Sequence, residues 1–171
     1  MNDLNILVIG GGIGGLTAAI ALRQKGHRVT VIEKDPDWSV YGVGIIQQAD
    51  VIRAMSELGL LDDYLSAGVP FDNIAIHMPD GTKVAEIPAP RLAENYPANV
   101  GIGRPALHKV LGDRTKESGA EIRLGVVADA IDDSGDRVHV SFSDGKTEEF
   151  DIVVGADGVY SDTRQKIMTD A

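Results

Sequence analysis

Three consecutive segments at the start of the chain restrict its fold more than any other part of the sequence. Residues 4–9 form a short apolar run with β-branched side chains, typical of a strand buried on both faces. Glycines fill most of residues 10–15, and Ile13–Lys25 has the composition of a buried helix that stops at Gly26. Residues 28–33 read as a second β-branched strand. One helix between two strands predicts a parallel pair with a helical crossover.

The glycine run has the spacing of a phosphate-binding loop. Gly10, Gly12 and Gly15 satisfy the pattern Gly-x-Gly-x-x-Gly directly after a strand and at the start of a helix. In such a loop the first glycine makes the turn, the second lets the backbone approach a pyrophosphate, and the third lets helix and strand pack closely. The positive end of the helix favours the negative phosphates. We therefore expect dinucleotide binding rather than a simple tight turn.

An acidic residue at the end of the second strand narrows the choice of dinucleotide. Glu33 holds the position whose carboxylate accepts the hydroxyls of an adenosine ribose and repels a 2′-phosphate. NADP is therefore disfavoured, whereas FAD and NAD both remain open. The alternative for Glu33 is a solvated strand end within Glu33-Lys34-Asp35.

Beyond Glu33 the regular alternation of strand and helix stops. Residues 34–47 contain Pro36, Gly42 and Gly44 and are predicted to form a long loop, a length that usually has a function. After this loop, two helices are predicted at residues 48–58 and 61–67. A β-hairpin follows at residues 71–87, with its turn at residues 79–81, and then an irregular segment at residues 88–97.

The last third of the chain is mostly β-structure. Pro105 is predicted to start a helix that closes at Gly119. Alternating apolar and polar residues then predict a small antiparallel meander, with strands at residues 121–124, 126–131, 137–142 and 147–150. A buried strand at 152–154 leads into Gly155-Ala156-Asp157-Gly158, and Ser161 or Asp162 is expected to cap a final helix.

Composition excludes several classes of function. The chain has 171 residues, 43% of them hydrophobic, which is enough for one domain with a real core. A net charge of −10 without a basic cluster makes nucleic acid and anionic membranes poor candidates as partners. The chain has no cysteine, which removes disulfides, thiolate metal sites and thiol nucleophiles.

Other sites and targeting signals are also missing from the sequence. The four histidines show no metal-ligand spacing, and no Gly-x-Ser-x-Gly elbow of a serine hydrolase is present. We therefore expect no metal site. The N-terminus lacks the features of a secretory signal, and no apolar stretch is long enough to span a membrane, so a cytoplasmic location is the default expectation.

Five short motifs, taken in order, resemble the N-terminal part of the FAD-dependent monooxygenases that hydroxylate aromatic rings, the para-hydroxybenzoate hydroxylase-like family. The resemblance covers the whole chain, and the Asp-Gly signature with its distal arginine is more specific than the glycine loop. The motifs are Val8–Leu16, Val31–Lys34, Gly42–Ile45, Gly103–Leu107 with Leu111, and Val153–Ser161 with Arg164.

The resemblance implies an α/β fold: a Rossmann-like FAD-binding domain of the glutathione reductase type. Such a domain has a parallel central sheet, a small antiparallel meander and a β-hairpin insertion. It also implies one FAD-binding domain over residues 1–171, without the substrate-domain sheet and second Gly-Asp motif of the longer family members. The chain is therefore expected to be a fragment of a larger enzyme.

The resemblance also implies a set of FAD-binding residues. The glycine loop would contact the pyrophosphate, Glu33 the ribose, Gly44 and Ile45 the flavin side, and Arg104 the flavin or its phosphates. Asp157 would lie near the pyrophosphate and the path of the nicotinamide donor, and the Ala128 backbone would touch the adenine. The complete set is Gly10, Gly12, Ile13, Gly14, Gly15, Glu33, Lys34, Gly44, Ile45, Arg104, Ala128, Asp157 and Gly158.

From the residues alone, each of these assignments has a structural alternative. A cation at the start of a helix is unfavourable to the helix dipole, which suggests an anionic partner for Arg104 but also fits a surface salt bridge. Asp157 follows a buried strand, at the edge where open α/β sheets bind ligands, yet Asp-Gly is also an ordinary turn. Gly42 and Gly44 alternatively relax a loop.

The function implied by the resemblance is hydroxylation of a small aromatic substrate with O₂, FAD and NAD(P)H as a transient electron donor. No catalytic residue is identified in this chain, and the fragment alone is expected to be inactive. For the full-length parent, a homodimer is one possible assembly. Two other functions stay open: a non-catalytic flavin-binding module and an NAD-dependent dehydrogenase. The dehydrogenase is disfavoured because the long loop and the meander replace regular strand–helix units.

Overall fold

The computed structural model describes residues 3–168, which form two compact units. The first unit contains residues 3–40 and 111–168, and the second contains Tyr41–Val110. No helix in this part of the chain is long and apolar enough to cross a lipid bilayer. The elements in chain order are β1 (Asn5–Ile9), α1 (Ile13–Gln24), β2 (Arg28–Glu33), β3 (Gly44–Gln48), α2 (Ala49–Glu57), α3 (Leu61–Ala67), β4 (Val69–Phe71), β5 (Asn73–His77), β6 (Lys83–Pro88), β7 (Asn99–Gly103), α4 (Arg104–Glu117), β8 (Glu121–Leu124), β9 (Ala128–Asp132), β10 (Val138–Phe142), β11 (Thr147–Phe150), β12 (Ile152–Gly155) and α5 (Asp162–Ile167).

A four-stranded parallel sheet forms the centre of the first unit. Its strand order is β12-β1-β2-β8, so the first and last strands of the chain lie side by side. The prediction that residues 121–124 belong to the antiparallel meander is wrong, because β8 pairs in parallel with β2. Alternation along a strand shows which side chains share a face, but not which strand is the partner. The pairing of β1 with β2 is parallel, as the sequence predicts for two strands joined by α1. Because parallel strands place their carboxyl ends at one edge, the segments after β1, β2 and β12 emerge together.

Two different layers cover the parallel sheet, and this explains the continuous apolar character of β1. On one face Leu7 and Ile9 pack in a core with side chains of the antiparallel meander β9–β11, namely Ala128, Val140, Phe142 and Phe150. On the other face Val8 and Val31 pack with Ala19 of α1. The rings of Phe142 and Phe150 meet edge to face, with their centroids 6.2 Å apart.

The second unit has its own small sheets. Strand β7 lies between β3 and β4 in an antiparallel sheet, and β5 and β6 form a separate hairpin. The two helices of this unit, α2 and α3, bury Ile52, Met55 and Tyr64. The predicted hairpin and both predicted helices are therefore present.

The prediction of an unbroken loop over residues 34–47 is wrong in its last part. Gly44–Gln48 form β3, which pairs with β7 at Asn99–Gly103, a strand that the sequence pattern did not indicate. Phe71, assigned from sequence to the hairpin, ends β4 and pairs with Asn99. These strands escape detection because glycines lower their β-propensity and their partners lie far away in the sequence.

Some boundaries also differ from the predicted ones. Helix α4 begins at Arg104 rather than at Pro105, and the meander strand predicted from Val126 begins at Ala128. The final helix begins after Ser161, whose hydroxyl accepts a hydrogen bond from the backbone N–H of Arg164, so Ser161 rather than Asp162 is the cap.

The close packing of α1 on β1 makes a testable prediction about two adjacent glycines. A Cβ on Gly15 would lie 1.9 Å from the carbonyl oxygen of Gly10, whereas a Cβ on Gly14 would meet nothing within 4 Å. Gly15→Ala should therefore lower the free energy of unfolding by about 1–3 kcal/mol. Gly14→Ala, the matched control, should raise it by up to about 1 kcal/mol through helix propensity. Urea unfolding measures both, and equal stability of the two variants would contradict the packing argument.

Candidate functional site

The backbone of Gly10 brings two loops at the edge of the parallel sheet into contact. Gly10 has a φ of +110°, and a Cβ at this position would lie 2.5 Å from the carbonyl oxygen of Ala156. The N–H of Gly10 donates to Ile32 at 2.8 Å, and the N–H of Ala156 donates to Ile9 at 2.7 Å. The glycine loop after β1 and the Asp157 segment after β12 therefore share one site.

The N-terminus of α1 is open. Its cap residue is Gly12, which has no side chain to accept the first N–H groups, and the first turn contains no acidic residue. The first N–H groups of any α-helix lack an intrahelical partner. A Cβ on Gly12 or Gly14 would meet nothing within 4 Å, so packing inside the protein does not require glycine at either position. This end of α1 therefore has room and polarity for an anion.

The Glu33 carboxylate is held by two backbone N–H groups. Oε2 accepts from Gly11 at 2.8 Å and Oε1 accepts from Asp35 at 3.0 Å. Each carboxylate oxygen has two acceptor positions, so both oxygens retain capacity for a further donor. Glu33 is therefore fixed beside the glycine loop and is not a freely solvated strand end.

The Asp157 carboxylate is bound by the chain itself. Oδ1 accepts from the Ser161 hydroxyl at 2.6 Å, and Oδ2 accepts from both the N–H and the hydroxyl of Thr163 at 2.9 Å. Burial acts to raise the pKa of Asp157, but these hydrogen bonds outweigh it and hold the pKa below its usual value. The Asp157 carboxylate thus connects the loop to the start of α5, which gives the aspartate of the Asp-Gly turn a structural role.

A pocket of about 240 Å³ lies in the first unit where these segments meet. It brings together seven of the residues predicted to bind the cofactor: Gly10, Gly12, Glu33, Lys34, Ala128, Asp157 and Gly158. The other lining residues are Ile9, Ile32, Val126, Val127, Ala156, Tyr160, Asp162, Thr163 and Lys166. Ile13, Gly14 and Gly15, which open α1, do not line it, and Gly15 is buried beneath the loop.

Three predicted residues belong to the second unit. Gly44 opens β3 opposite Gly103, and Ile45 is paired with Ile102. The side chain of Arg104 covers Gly42, whose φ is +125° and whose Cβ would lie 2.9 Å from the arginine Cδ. Close contact with Arg104 therefore gives Gly42 a structural reason to be glycine. The roles of Gly44, Ile45 and Arg104 in cofactor binding remain predictions.

Three residues near the pocket were not singled out from the sequence. Lys166 donates a hydrogen bond to the carbonyl oxygen of Ala128 and lines the pocket. Thr163 holds Asp157, and Trp38 donates its indole N–H to the Gly11 carbonyl oxygen at 2.8 Å. No motif spacing identifies them. Trp38 and Lys166 contact residues 27 and 38 positions away, and only Thr163 lies near its partner, six positions after Asp157. Over residues 3–168, no three histidine, aspartate or glutamate side chains converge to form a metal site.

Comparison with known proteins agrees with this arrangement. Residues 3–171 match the family described as FAD binding domain. The chain belongs to this FAD-binding family.

Curated relatives of this FAD-binding chain are monooxygenases. It is 34% identical to 3-amino-4-hydroxybenzoate 2-monooxygenase of Streptomyces cremeus, over 99% of the chain and 43% of that protein. It is 33% identical to 3-hydroxybenzoate 6-hydroxylase 1 of Aquipseudomonas alcaligenes, over 97% of the chain and 43% of that protein. The chain therefore spans about two fifths of the length of these relatives.

Solved structures support the same family. A tetrameric form of 2-methyl-3-hydroxypyridine-5-carboxylic acid oxygenase matches with a TM-score of 0.81 and 32% identity, covering 98% of this chain and 43% of that one. The p-nitrophenol 4-monooxygenase of Pseudomonas putida DLL-E4 matches with a TM-score of 0.85 and 26% identity, covering 97% and 44%. The resemblance to FAD-dependent aromatic monooxygenases and the mixed α/β fold expected from it are confirmed.

The hydrogen bonds to Asp157 predict a stability that depends on pH. Asp157→Asn should lower the free energy of unfolding at pH 7 by about 1–3 kcal/mol, because Ser161 and Thr163 lose a charged acceptor. The folded pKa is depressed, so the stabilisation is full above the unfolded pKa and is lost as pH falls through the folded pKa.

Urea unfolding of both proteins between about pH 2 and pH 7 should show the difference narrowing in acid. Asp133→Asn, at an exposed turn of the meander, is the control and should change stability by less than about 0.5 kcal/mol. A difference between wild type and Asp157→Asn that is independent of pH would contradict the assigned role of the carboxylate.

Proposed function

We propose that the chain is the FAD-binding part of a longer flavin-dependent monooxygenase, which hydroxylates an aromatic substrate using O₂ and NAD(P)H. The observation that supports this most directly is the pocket in which the glycine loop, Glu33 and the Asp157-Gly158 turn meet. Neither a simple turn nor a solvated strand end needs such a meeting, whereas a dinucleotide lying across the sheet edge needs all three.

The residues of the pocket fit FAD. The open end of α1 is suited to the diphosphate, and the space beside Gly12 lets a phosphate approach the backbone. The spare acceptor positions of Glu33 suit the two hydroxyls of the adenosine ribose. Lys34 and Lys166 line the same pocket and would supply positive charge for an anionic dinucleotide. A volume of about 240 Å³ suits one half of an extended dinucleotide better than all of it.

The work of this chain is to bind and orient the cofactor. The N–H groups that open α1 would hold the diphosphate, Glu33 would bind the ribose, and the Ala128 backbone would lie beside the adenine. Ile9, Ile32 and Val126 supply an apolar lining that excludes water from this end. FAD, when bound, supplies the electron transfer from NAD(P)H and the activation of O₂. Groups that touch the aromatic substrate are not assigned to this chain.

The names of the relatives support the substrate class. Two of them act, by name, on hydroxybenzoates and another on p-nitrophenol, so a phenolic ring is common to the three. We extend this class to the longer protein, as a small electron-rich aromatic ring. The use of NAD(P)H and a homodimeric parent are parts of the same proposal.

A titration of the 171-residue chain with FAD, and in parallel with NAD, tests the cofactor. We expect flavin fluorescence and calorimetry to report saturable binding of FAD and none of NAD, because the family to which the chain belongs is an FAD-binding one. We also expect no NADH oxidation by the chain alone.

Retention of NAD without FAD would overturn the proposal in favour of a dehydrogenase domain. A protein extended to the length of the relatives should consume NAD(P)H and O₂ faster when a phenolic substrate is added. Flavin binding without any such consumption would instead make the chain a non-catalytic flavin-binding module.

Removal of the Glu33 carboxylate should weaken FAD binding. Glu33→Ala removes the charged acceptor for the ribose, which should cost roughly 1.5–3 kcal/mol of binding free energy. Isothermal calorimetry measures this, and Glu57→Ala is the control because Glu57 is an exposed partner of Arg53 on α2. Unchanged affinity in the Glu33 variant would remove this residue from the site.

A further inference from the structure

We propose that Trp38 is a positioning residue for the dinucleotide site: it clamps the backbone of Gly11 at its carbonyl and thereby holds the Glu33 carboxylate, which accepts from the Gly11 N–H, towards the ribose. This inference rests on the proposed binding of FAD. It assigns a function to Trp38, a residue of the loop after β2 that belongs neither to the glycine fingerprint nor to the family motifs.

The contacts form a closed chain from Trp38 to Glu33. The indole Nε1 of Trp38 donates to the Gly11 carbonyl oxygen at 2.8 Å, and the N–H of Gly11 donates to Glu33 Oε2 at 2.8 Å. The other carboxylate oxygen, Oε1, accepts from the N–H of Asp35 at 3.0 Å. The two contacts lie on the two peptide groups that meet at the Gly11 Cα, so a shift of the Gly11 backbone moves one of the two donors that orient the carboxylate.

The turn that carries Trp38 is built from the same loop. The Asp35 carboxylate accepts from the N–H groups of Asp37 at 3.0 Å and Ser39 at 2.8 Å. The backbone N–H groups of Ser39 and Asp37 hold the pKa of Asp35 below its usual value. Since the Asp35 N–H also binds Glu33, one turn fixes both Trp38 and the second oxygen of the carboxylate.

Three observations show that the position of Trp38 is imposed by its surroundings. Its φ is +51°, the only positive value at a non-glycine residue among residues 3–168, and a bulky aromatic residue adopts it only when its surroundings enforce it. Its ring lies over Gly112 of α4, where a Cβ would stand 3.4 Å from the ring edge. Lys116 Nζ lies 5.2 Å from the ring centroid, within cation–π range. Strain of this kind is typical of functional sites.

The contact with Trp38 also explains why residue 11 is glycine, although the fingerprint allows any residue at that position. Gly11 occupies a variable position of Gly-x-Gly-x-x-Gly, yet a Cβ there would lie 2.6 Å from Trp38 Nε1 and 3.0 Å from Glu33 Cβ. No residue larger than glycine fits between them without displacing the indole. Gly11, the second glycine of the run, is therefore explained by Trp38 and Glu33 together.

Trp38→Phe keeps an aromatic ring over Gly112 and removes the indole N–H. We expect hydrogen exchange at the Gly11 amide to become about tenfold faster in the ligand-free chain, and FAD to dissociate with a constant about five- to tenfold higher. Lys116→Met, which removes the cation above the ring and leaves the indole N–H, is the control and should change neither value by more than about twofold.

Two tryptophan analogues at position 38 provide a second test, which still applies if Trp38→Phe disturbs folding. Trp38 is the only tryptophan of the chain, so tryptophan analogues replace it alone. Benzothienylalanine, which has sulfur in place of the N–H, should reproduce the weaker FAD binding, whereas 7-azatryptophan, which keeps the N–H, should restore it. A ring that served packing alone would give the same affinity with both analogues, and this result would overturn the inference.

The two readouts separate this inference from the proposed function. Equal FAD affinity in wild type and Trp38→Phe would overturn the role of Trp38 while leaving FAD binding intact. Faster Gly11 exchange in a chain that does not bind FAD would overturn the proposed function, and with it the role of the clamp in cofactor binding. Faster exchange together with weaker binding, rescued by 7-azatryptophan, supports both.

Discussion

The close approach of three backbones at Gly10 is the constraint on which the rest of the first unit depends. Gly10 faces Ala156 on one side, and its own carbonyl oxygen lies where a side chain on Gly15 would be. A side chain at either glycine would separate α1 from β1 or β1 from the segment after β12. With both absent, the ends of β1, β2 and β12 converge, and the uncapped end of α1 points to the same edge. The pocket follows from this approach.

Hydrogen bonds within the chain hold the charged groups of the pocket before any ligand arrives. Glu33 is oriented by Gly11 and Asp35, and Asp157 by Ser161 and Thr163. The two carboxylates differ in what they leave available. Asp157 accepts three donors from its own loop and helix, two of them on one oxygen, whereas Glu33 accepts the Gly11 N–H on one oxygen and the Asp35 N–H on the other. Glu33 is therefore suited to recognise a ligand, and Asp157 is suited to hold the shape of the loop.

Local sequence patterns were sufficient for the regular part of the fold. The apolar run of β1, the helix α1 and the strand β2 have partners close in sequence, and the meander strands alternate clearly, so these elements could be predicted. Strands β3 and β7 could not, because Gly44, Gly101 and Gly103 weaken the strand signal and the pairing joins distant segments. The candidate site divides in the same way. The glycines and Glu33 follow a fixed spacing, whereas Trp38 and Lys166 contact residues far away in the sequence. Thr163 lies only six positions after Asp157, but no fixed spacing marks it.

The neighbouring positions of β1 and β12 have a consequence for how the protein forms during synthesis. The N–H of Asn5 donates to the carboxylate of Asp151 at 2.6 Å, across 146 positions of sequence. The pocket draws on residues 9–34 and on residues 126–166, so neither end of the chain contains a complete site. On the ribosome, the first strand and the glycine loop emerge long before their partners. Bringing the two ends together costs the conformational entropy of a long loop, and this cost precedes the contacts that form the site. The pocket is therefore expected to assemble late in folding.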